Sequence, residues 1–196
     1  QKINIKNIST YKEYLKRRSN NEPIAYILGE KEFYSKKFYI NKDTLIPRPE
    51  TELLVDTILK IYQEKRISIL DIGTGSGCII ISLLSILENS NGIGVDISKN
   101  AILTARKNAL KYKLSKRLKF LNKSFTDIFS KKFDLIVSNP PYIDSKGIKN
   151  LSDDIKRYEP RIALDGGNDG LDLIKKVIYK SKDILKIKGM LALEIG

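Results

Sequence analysis

Apolar residues in the second half of the chain form short runs that alternate with longer amphipathic stretches. The runs "ISILDI", "GIGVDI", "LKFL", "FDLIVSN" and "MLALEI" are typical of buried strands. Between them lie helical patterns such as "KNAILTARKNALKY", where Ala101, Ala105 and Ala109 share one face. Strands that alternate with helices predict an α/β fold with a mostly parallel, doubly wound sheet covered on both faces.

The first part of the chain has a different pattern. Residues 2–30 are charged and predict helices that break at Pro23 and end at Gly29. Residues 32–46 carry aromatic and β-branched clusters on both sides of "SKK", which predicts a β-hairpin. The chain is therefore expected to divide into an N-terminal helical part (1–30), a hairpin linker (31–47) and an α/β domain (48–196).

The stretch "PRPETE" marks the start of a further helix. Pro49 lies early, and Glu50 and Glu52 place acids in the first turn, where they are typical helix-start residues. The apolar residues that follow have helical spacing, which supports the helix: Leu53, Leu54, Ile58 and Ile61.

Composition narrows the chemistry. The 196 residues are 41% hydrophobic, contain no histidine and contain one cysteine. Histidine acid–base catalysis and His/Cys zinc sites are thereby excluded, and no disulfide can form within the chain, which fits a reducing, cytoplasmic location. The longest apolar stretch is too short to span a membrane. Because the chain begins at Gln1 and stops after "LALEIG", we expect a piece of a longer protein that lacks the last strands of its sheet.

The net charge of +13 favours acidic partners, among them nucleic acid. Lysines are scattered along the whole chain, however, and this is equally typical of a lysine-rich proteome. Charge alone therefore does not indicate direct nucleic-acid binding, which is not favoured here.

A glycine loop, "GTGSG", follows the first strand of the α/β part and precedes a helix. Gly73, Gly75 and Gly77 allow close approach of a ligand to the backbone, and Thr74 and Ser76 complete the loop. Asp96 ends the next strand, where an acid binds the hydroxyls of a ribose. The pattern predicts a nucleoside site, and Cys78 at the helix start is interpreted as a small buried residue without a redox role.

The acid before the loop indicates which nucleoside binds. Asp71 would repel a pyrophosphate, whereas it is compatible with a sulfonium and an ammonium group. S-adenosylmethionine therefore fits this site better than a dinucleotide does.

The stretch "NPPY" follows the fourth strand, at the edge of the sheet where doubly wound folds bind ligands. The side-chain oxygen of Asn139 and the carbonyl of Pro140 form a rigid pair of acceptors, since Pro140 and Pro141 have fixed φ angles and no N–H. Two acceptors suit an –NH₂ group, and Tyr142 provides a flat wall for a planar amide or base. The alternative interpretation of "NPPY" is a structural turn.

"NPPY" and "DIGTGSG" together resemble class I S-adenosylmethionine-dependent N-methyltransferases. "EPIAYILGEKEFY", "LIPRPETE" and "YEPRIALDGGNDGL" are similar to the HemK/PrmC family, and the similarity runs from about residue 22 to the end. The resemblance implies methylation of the side-chain N5 of the glutamine in the Gly-Gly-Gln loop of peptide-chain release factors, with the N-terminal helices helping to seat this protein substrate.

The resemblance also implies residue roles. The glycine loop would line the cofactor, Asp96 would bind its ribose, and the segment from Asn139 to Tyr142 would bind the glutamine. Arg48 would belong to a lid segment near the cofactor. Where the family has an acid and a tryptophan near the adenine, this chain has Ser124 and Phe125. Phe125 is expected either to stack on the purine or to belong to the core, and Asp127 is a candidate for the missing acid.

Two other substrate classes remain open. One is a glutamine in a ribosomal protein, and the other is an adenine or guanine nitrogen in nucleic acid. No separate target-recognition domain is evident for the second, and "PRPETE" is similar to the protein-directed branch.

Overall fold

The computed structural model describes residues 5–128 and 132–195. The predicted N-terminal helical part is thus described from Ile5 onward, and residues 1–4, 129–131 and 196 lie outside the described ranges. The helices are α1 (Ile5–Ser19), α2 (Ile24–Leu28), α3 (Glu50–Tyr62), α4 (Cys78–Ile86), α5 (Lys99–Lys111), α6 (Asp153–Tyr158) and α7 (Asp172–Ile184). The strands are β1 (Glu30–Phe33), β2 (Lys36–Tyr39), β3 (Ser68–Ile72), β4 (Asn91–Asp96), β5 (Leu118–Asn122), β6 (Phe133–Ser138) and β7 (Leu185–Leu193).

The central sheet confirms the predicted α/β architecture. Its five strands are parallel and lie in the order β5-β4-β3-β6-β7. The chain leaves β3 first toward β4 and later returns to β6 on the other side, so the order reverses at β3. The carboxyl ends of these three strands therefore meet around one crevice, which is where open α/β sheets bind ligands.

Both faces of the sheet are covered by helices. On β3, Ile69 packs into a core with α3, α4 and α5, whereas Leu70 and Ile72 pack into a second core with Val177 and Ile184 of α7. The alternation follows from the two-residue period of a strand. Because both faces are buried, successive residues of a strand are apolar, and each strand is a continuous apolar run in the sequence.

Helix α3 begins where predicted, and the apolar residues with helical spacing are divided between the core and solvent. Leu53 is 69% exposed and Ile61 is 44% exposed, while Val55, Ile58 and Tyr62 are buried. The hydroxyl of Tyr62 donates to the carbonyl of Asp134 at 3.0 Å, which turns this side of the helix toward the sheet. Apolar residues on both sides of α3 make the two faces indistinguishable by spacing alone.

Two strand boundaries also differ from expectation. The hairpin turn consists of Tyr34 and Ser35, both with positive φ, so the two lysines predicted in the turn belong to β2. The last strand begins at Leu185, directly after α7, and its register shifts before regular pairing resumes at Met190. An irregular strand start of this kind carries no periodic signal.

The hairpin is joined to the glycine loop by one buried amide. The Asn108 side chain on α5 donates to the carbonyls of Tyr39 and Ser76, each at 2.9 Å, and accepts from the Tyr39 N–H at 2.8 Å. Asn108 is fully buried, so no water replaces these partners if it is removed. No helix in the described parts of the chain is long and apolar enough to cross a bilayer.

We predict that Asn108→Leu lowers the free energy of unfolding by roughly 2–4 kcal/mol, because it leaves several buried backbone groups without partners. Urea unfolding measures the change. Asn100→Leu, at an exposed position of the same helix, is the matched control and should change stability by less than about 0.5 kcal/mol. Equal effects of the two substitutions would show that the Asn108 bonds contribute nothing.

Candidate active site

Two adjoining cavities lie at the carboxyl ends of β3, β4 and β6. The larger has a volume of about 450 Å³ and the smaller about 160 Å³. Asn139, Pro141 and Arg48 line both, so they form the boundary between the two. The larger volume is typical of a small-molecule site.

Residues 73–76 of the glycine loop form the floor of the larger cavity, whereas Gly77 lines neither cavity. Three N–H groups of this floor are already used. Gly73 and Thr74 both donate to the Val95 carbonyl, at 2.9 and 3.0 Å, and Gly75 donates to Oδ2 of Asp96 at 3.0 Å. A pyrophosphate needs free N–H groups of exactly this kind. The N–H groups of Gly73, Thr74 and Gly75 are therefore not available to a phosphate, which favours a ligand without phosphates.

Gly77 shows why the loop ends in a glycine. Its φ is +81°, and it caps the N-terminus of α4. A Cβ atom here would lie 3.0 Å from Ile81 and 3.3 Å from Ala105 and Phe120. The residue must therefore lack a side chain and adopt a left-handed backbone conformation, so that α4 and α5 can pack against this turn.

Asp96 reaches the cavity from the end of β4, as predicted. Its Oδ2 accepts from Gly75 and its Oδ1 accepts from the Ser98 N–H at 2.8 Å. Burial raises the pKa of this carboxyl, while the backbone donors oppose the shift. Each oxygen keeps a lone pair for a further donor, so the carboxylate is fixed in place and suited to a diol.

Asp71 does not line either cavity, and the prediction that it binds the cofactor directly is corrected here. It is 1% exposed and lies beneath the loop, where its Oδ2 accepts from the Thr74 hydroxyl at 2.7 Å. Its Oδ1 has no hydrogen-bond partner among the described residues. Burial raises the pKa of Asp71 to about 7. Its direct role is to hold Thr74, which does line the larger cavity.

The acceptor pair predicted at "NPPY" lies at the boundary between the cavities. The Asn139 nitrogen donates to the hydroxyl of Thr51 at 3.3 Å, which leaves the side-chain oxygen as the free end of the amide. Pro140 lines the larger cavity, and Tyr142, 36% exposed, lines only the smaller one. An –NH₂ group held here would have the larger cavity on one side and the aromatic wall on the other.

A second glycine-rich segment, residues 165–170, packs against the back of this corner. The Gly166 N–H donates to the Ile143 carbonyl at 2.8 Å, and a Cβ at position 166 would lie 2.7 Å from the carbonyl oxygen of Pro141. A Cβ at Gly170 would lie 2.3 Å from the carbonyl oxygen of Tyr142. Side chains at these positions would displace the corner. The sequence predicted no role for this stretch.

The lid segment, residues 45–48, is attached to the body of the domain by Glu159. This buried carboxylate accepts from the Ile46 N–H at 3.1 Å and pairs with Arg48. Arg48 lines both cavities, and its role in a lid stays a prediction. Glu50 and Glu52 occupy the first turn of α3 and line neither cavity, which confirms that they are helix-start acids.

The wall beyond Asp96 contains Phe125 together with residues that sequence reasoning missed. Phe125 lines the larger cavity and also belongs to the second core, so both predicted roles are compatible. Ile97 and Lys123 line the same region. Asp127, the candidate for the missing acid, is exposed and lies outside the lining of the larger cavity.

Cys78 also lines the larger cavity, although the sequence indicated only a packed residue. Burial raises the pKa of its thiol to about 12, so the sulfur stays protonated at neutral pH. No cluster of three or more His, Cys, Asp or Glu residues suited to a metal ion occurs within residues 5–128 and 132–195.

The chain is similar to known methyltransferases. A family model described as "Methyltransferase domain" matches residues 63–192. The release factor glutamine methyltransferase of Caulobacter vibrioides is 40% identical over 198 residues, which cover 100% of this chain and 68% of that protein. A protein of the same name from Bradyrhizobium diazoefficiens is 42% identical over 188 residues, covering 94% of this chain and 63% of the relative.

Another relative is longer. The bifunctional methyltransferase of Rickettsia prowazekii is 40% identical over 209 residues, covering 96% of this chain and 40% of that protein. The chain thus spans between two fifths and two thirds of the length of these curated relatives. Among solved structures, the hMettl16 catalytic domain in complex with MAT2A 3′UTR hairpin 6 is similar, with a TM-score of 0.61, 19% identity, and coverage of 83% of this chain and 63% of that one. At this identity the likeness shows the fold alone.

We predict that Asp71→Asn changes how stability depends on pH. The unfolded carboxyl ionises near its ordinary value of 3.8 and the folded one near 7, so the wild-type protein loses stability as pH rises between these values. The asparagine does not ionise. Urea unfolding at pH 4.5 and pH 8 measures the free energy of unfolding of both proteins. The difference between the variant and the wild type should shift in favour of the variant by roughly 2–4 kcal/mol from the lower pH to the higher.

Asp127→Asn, at an exposed position, is the control and should show no gain of this size. A constant difference between Asp71→Asn and wild type at the two pH values would contradict the buried position of this carboxyl.

Proposed function

Since the chain belongs to the methyltransferase family, and within it to the release factor glutamine methyltransferases, we propose that it transfers a methyl group from S-adenosylmethionine to the side-chain nitrogen of a glutamine in a peptide-chain release factor. The observation that carries the proposal is the acceptor corner of Asn139 and Pro140 at the boundary of two cavities. We further propose that the glutamine is that of the Gly-Gly-Gln loop and that the reaction is cytoplasmic, where translation occurs.

The larger cavity fits the proposed cofactor on three grounds. Its volume of about 450 Å³ suits a small molecule. Three of its loop N–H groups are occupied, so a ligand without phosphates is preferred. Asp96 presents a fixed carboxylate that would accept from both ribose hydroxyls. In this proposal residues 73–76 would lie under the methionine portion, and Phe125 would lie against the adenine.

The smaller cavity would take the glutamine. Asn139 Oδ1 and the Pro140 carbonyl would accept the two N–H groups of its amide, and Tyr142 would lie against the amide plane. We also propose that the N-terminal helices help to seat the release factor. Helix α2 packs on the lid segment through Tyr26, whose hydroxyl donates to the Thr44 carbonyl at 2.7 Å.

Methyl transfer at this site needs positioning more than acid–base chemistry. Bound S-adenosylmethionine would supply an electrophilic methyl carbon. An amide nitrogen is a poor nucleophile because its lone pair is delocalised, and holding both of its hydrogens would aim it into the larger cavity. The two acceptors would also stabilise the positive charge that grows on nitrogen in the transition state. As the new C–N bond forms, the S–CH₃ bond would break and the sulfur would leave as a neutral thioether. The N–H becomes acidic at the same time, so its proton would pass to water without a strong base, and the lack of histidine is no obstacle.

The direct test is incubation with S-adenosylmethionine and a release factor, followed by intact-mass measurement. We expect the mass of one added methyl group on the release factor and none on a variant whose Gly-Gly-Gln glutamine is alanine. Parallel incubations with ribosomal proteins, DNA and RNA test the other substrate classes. Methylation of any of these, with none on the release factor, would overturn the proposal.

A pair of substitutions separates the two halves of the site. Asn139→Ala should lower kcat by at least about 100-fold, because two transition-state acceptors become one, while the cofactor Kd stays within about threefold. Asp96→Ala should instead weaken the cofactor Kd by 1.5–3 kcal/mol, roughly 10- to 150-fold, the scale of a charge-assisted hydrogen bond.

Calorimetry gives the Kd values, and initial rates at saturating cofactor give kcat. An unchanged Kd in Asp96→Ala would remove the ribose assignment. Equal losses of kcat and cofactor affinity in Asn139→Ala would make Asn139 a folding or cofactor residue.

A further inference from the structure

The orientation of the Asn139 amide depends on a residue from another element. The amide nitrogen faces the hydroxyl of Thr51, with 3.3 Å between Nδ2 and Oγ1, and Thr51 is 2% exposed. Thr51 lies in the first turn of α3, which is 88 residues away in sequence. The bond therefore joins the start of α3 to the end of β6 across the floor of the larger cavity.

The position of Thr51 is itself fixed by the lid segment. Its N–H donates to the Arg48 carbonyl at 3.2 Å, and Glu159 binds both the Arg48 side chain and the Ile46 N–H. The backbone of Thr51 is thus linked through Arg48 to the same buried carboxylate that attaches the lid segment to the domain. A hydroxyl placed this way keeps a constant position relative to the "NPPY" corner.

A carboxamide has two different ends, and only one of them suits the proposed chemistry. With Nδ2 directed at Thr51, Oδ1 is left to accept from the substrate. With the amide rotated by half a turn, Nδ2 would face the substrate nitrogen, and two donors would oppose each other. The Thr51 hydroxyl can accept from Nδ2 or donate to Oδ1. Its bond therefore holds the amide plane in place, and the substrate's own donors select the oxygen as the end that faces them.

We propose that Thr51 is a positioning residue that holds the Asn139 amide in place at the boundary of the two cavities, so that its other end is presented to the substrate. This inference rests on the proposed function, because the need for an acceptor comes from methylation of an –NH₂ group. Thr51 acts through Asn139 and forms no bond to the reacting atoms.

The test compares two substitutions that separate the hydroxyl from the volume of the side chain. Thr51→Val keeps the shape and removes the hydroxyl, and it should lower kcat for release factor methylation by roughly 10- to 100-fold with cofactor Kd within about twofold. Thr51→Ser restores the hydroxyl and should recover most of kcat. The pair therefore distinguishes the hydrogen bond from packing.

Thr57→Val is the matched control. Thr57 lies on the same helix, is exposed, and donates only to the Leu53 carbonyl of its own helix. The same substitution there should leave kcat unchanged. A Thr51→Val enzyme with wild-type kcat, or Thr51→Val and Thr51→Ser enzymes that are equally slow, would overturn the proposal.

A second measurement needs no substrate and no activity. In NMR spectra, the side-chain N–H₂ signals of Asn139 are identified by their disappearance in Asn139→Ala. We expect one of the two protons to exchange slowly in the wild type and in Thr51→Ser, and to lose this protection in Thr51→Val. Unchanged protection in Thr51→Val would overturn the proposal.

The two readouts keep the inference separable from the proposed function. If the wild-type protein fails to methylate a release factor, the proposed function fails, and the orientation of the Asn139 amide is still decided by the NMR comparison. If the wild-type protein methylates the release factor and Thr51→Val is as fast, only the inference about Thr51 fails.

Discussion

The parallel pairing of β3 with β6 is the constraint on which the site depends. Ile72 lies opposite Ser138 in this pairing, and the Ser138 hydroxyl donates to the Ile72 carbonyl at 2.7 Å. The two strands therefore end at the same height. One continues into the glycine loop and the other into the acceptor corner, so the floor of the larger cavity and its reactive edge are held in register by the sheet itself. Strand β4, on the other side of β3, adds Asp96 at the same level.

Around this register, short polar contacts join the elements that surround the sheet. Asn108 joins the hairpin to the glycine loop, Glu159 joins the lid segment to the region after α6, and Thr51 joins α3 to Asn139. Each of these side chains is buried and each bonds to backbone or to another side chain. Together they give a loop-built site the rigidity that positioning of a weak nucleophile requires.

The sequence was sufficient for the parts of the molecule that have a local signature. The alternation of apolar runs and helices predicted the parallel sheet, and the glycines, Asp96 and "NPPY" predicted where the cavity residues would lie. What could not be predicted depends on long-range packing. The sequence position of Asp71 is typical of a ligand-binding acid, but its side chain is buried beneath the loop. Asp127 follows Phe125 closely in sequence, but its side chain is exposed to solvent.

The same limit applies to the residues that support the site. The apolar residues of α3 predict a helix without saying which side faces the sheet, since Leu53 and Val55 are equally apolar. Glu159 and Thr51 carry no signal at all, because their partners lie 113 and 88 residues away. Gly166 and Gly170 could have been recognised as positions of close backbone approach, since glycines gathered between short elements often indicate such contacts.

The saturated donors of the glycine loop restrict how this scaffold can change over evolution. Gly73 and Thr74 donate their N–H groups to the backbone carbonyl of Val95, so side-chain replacements do not free them, whereas the Gly75 N–H is bound by the Asp96 side chain. A descendant that recruits a phosphorylated nucleotide would have to rebuild the path of the backbone between β3 and α4. We therefore expect substitutions to change ligand preference at the wall around Phe125 and in the smaller cavity, where side chains define the shape. The type of ligand that the loop accepts should change less.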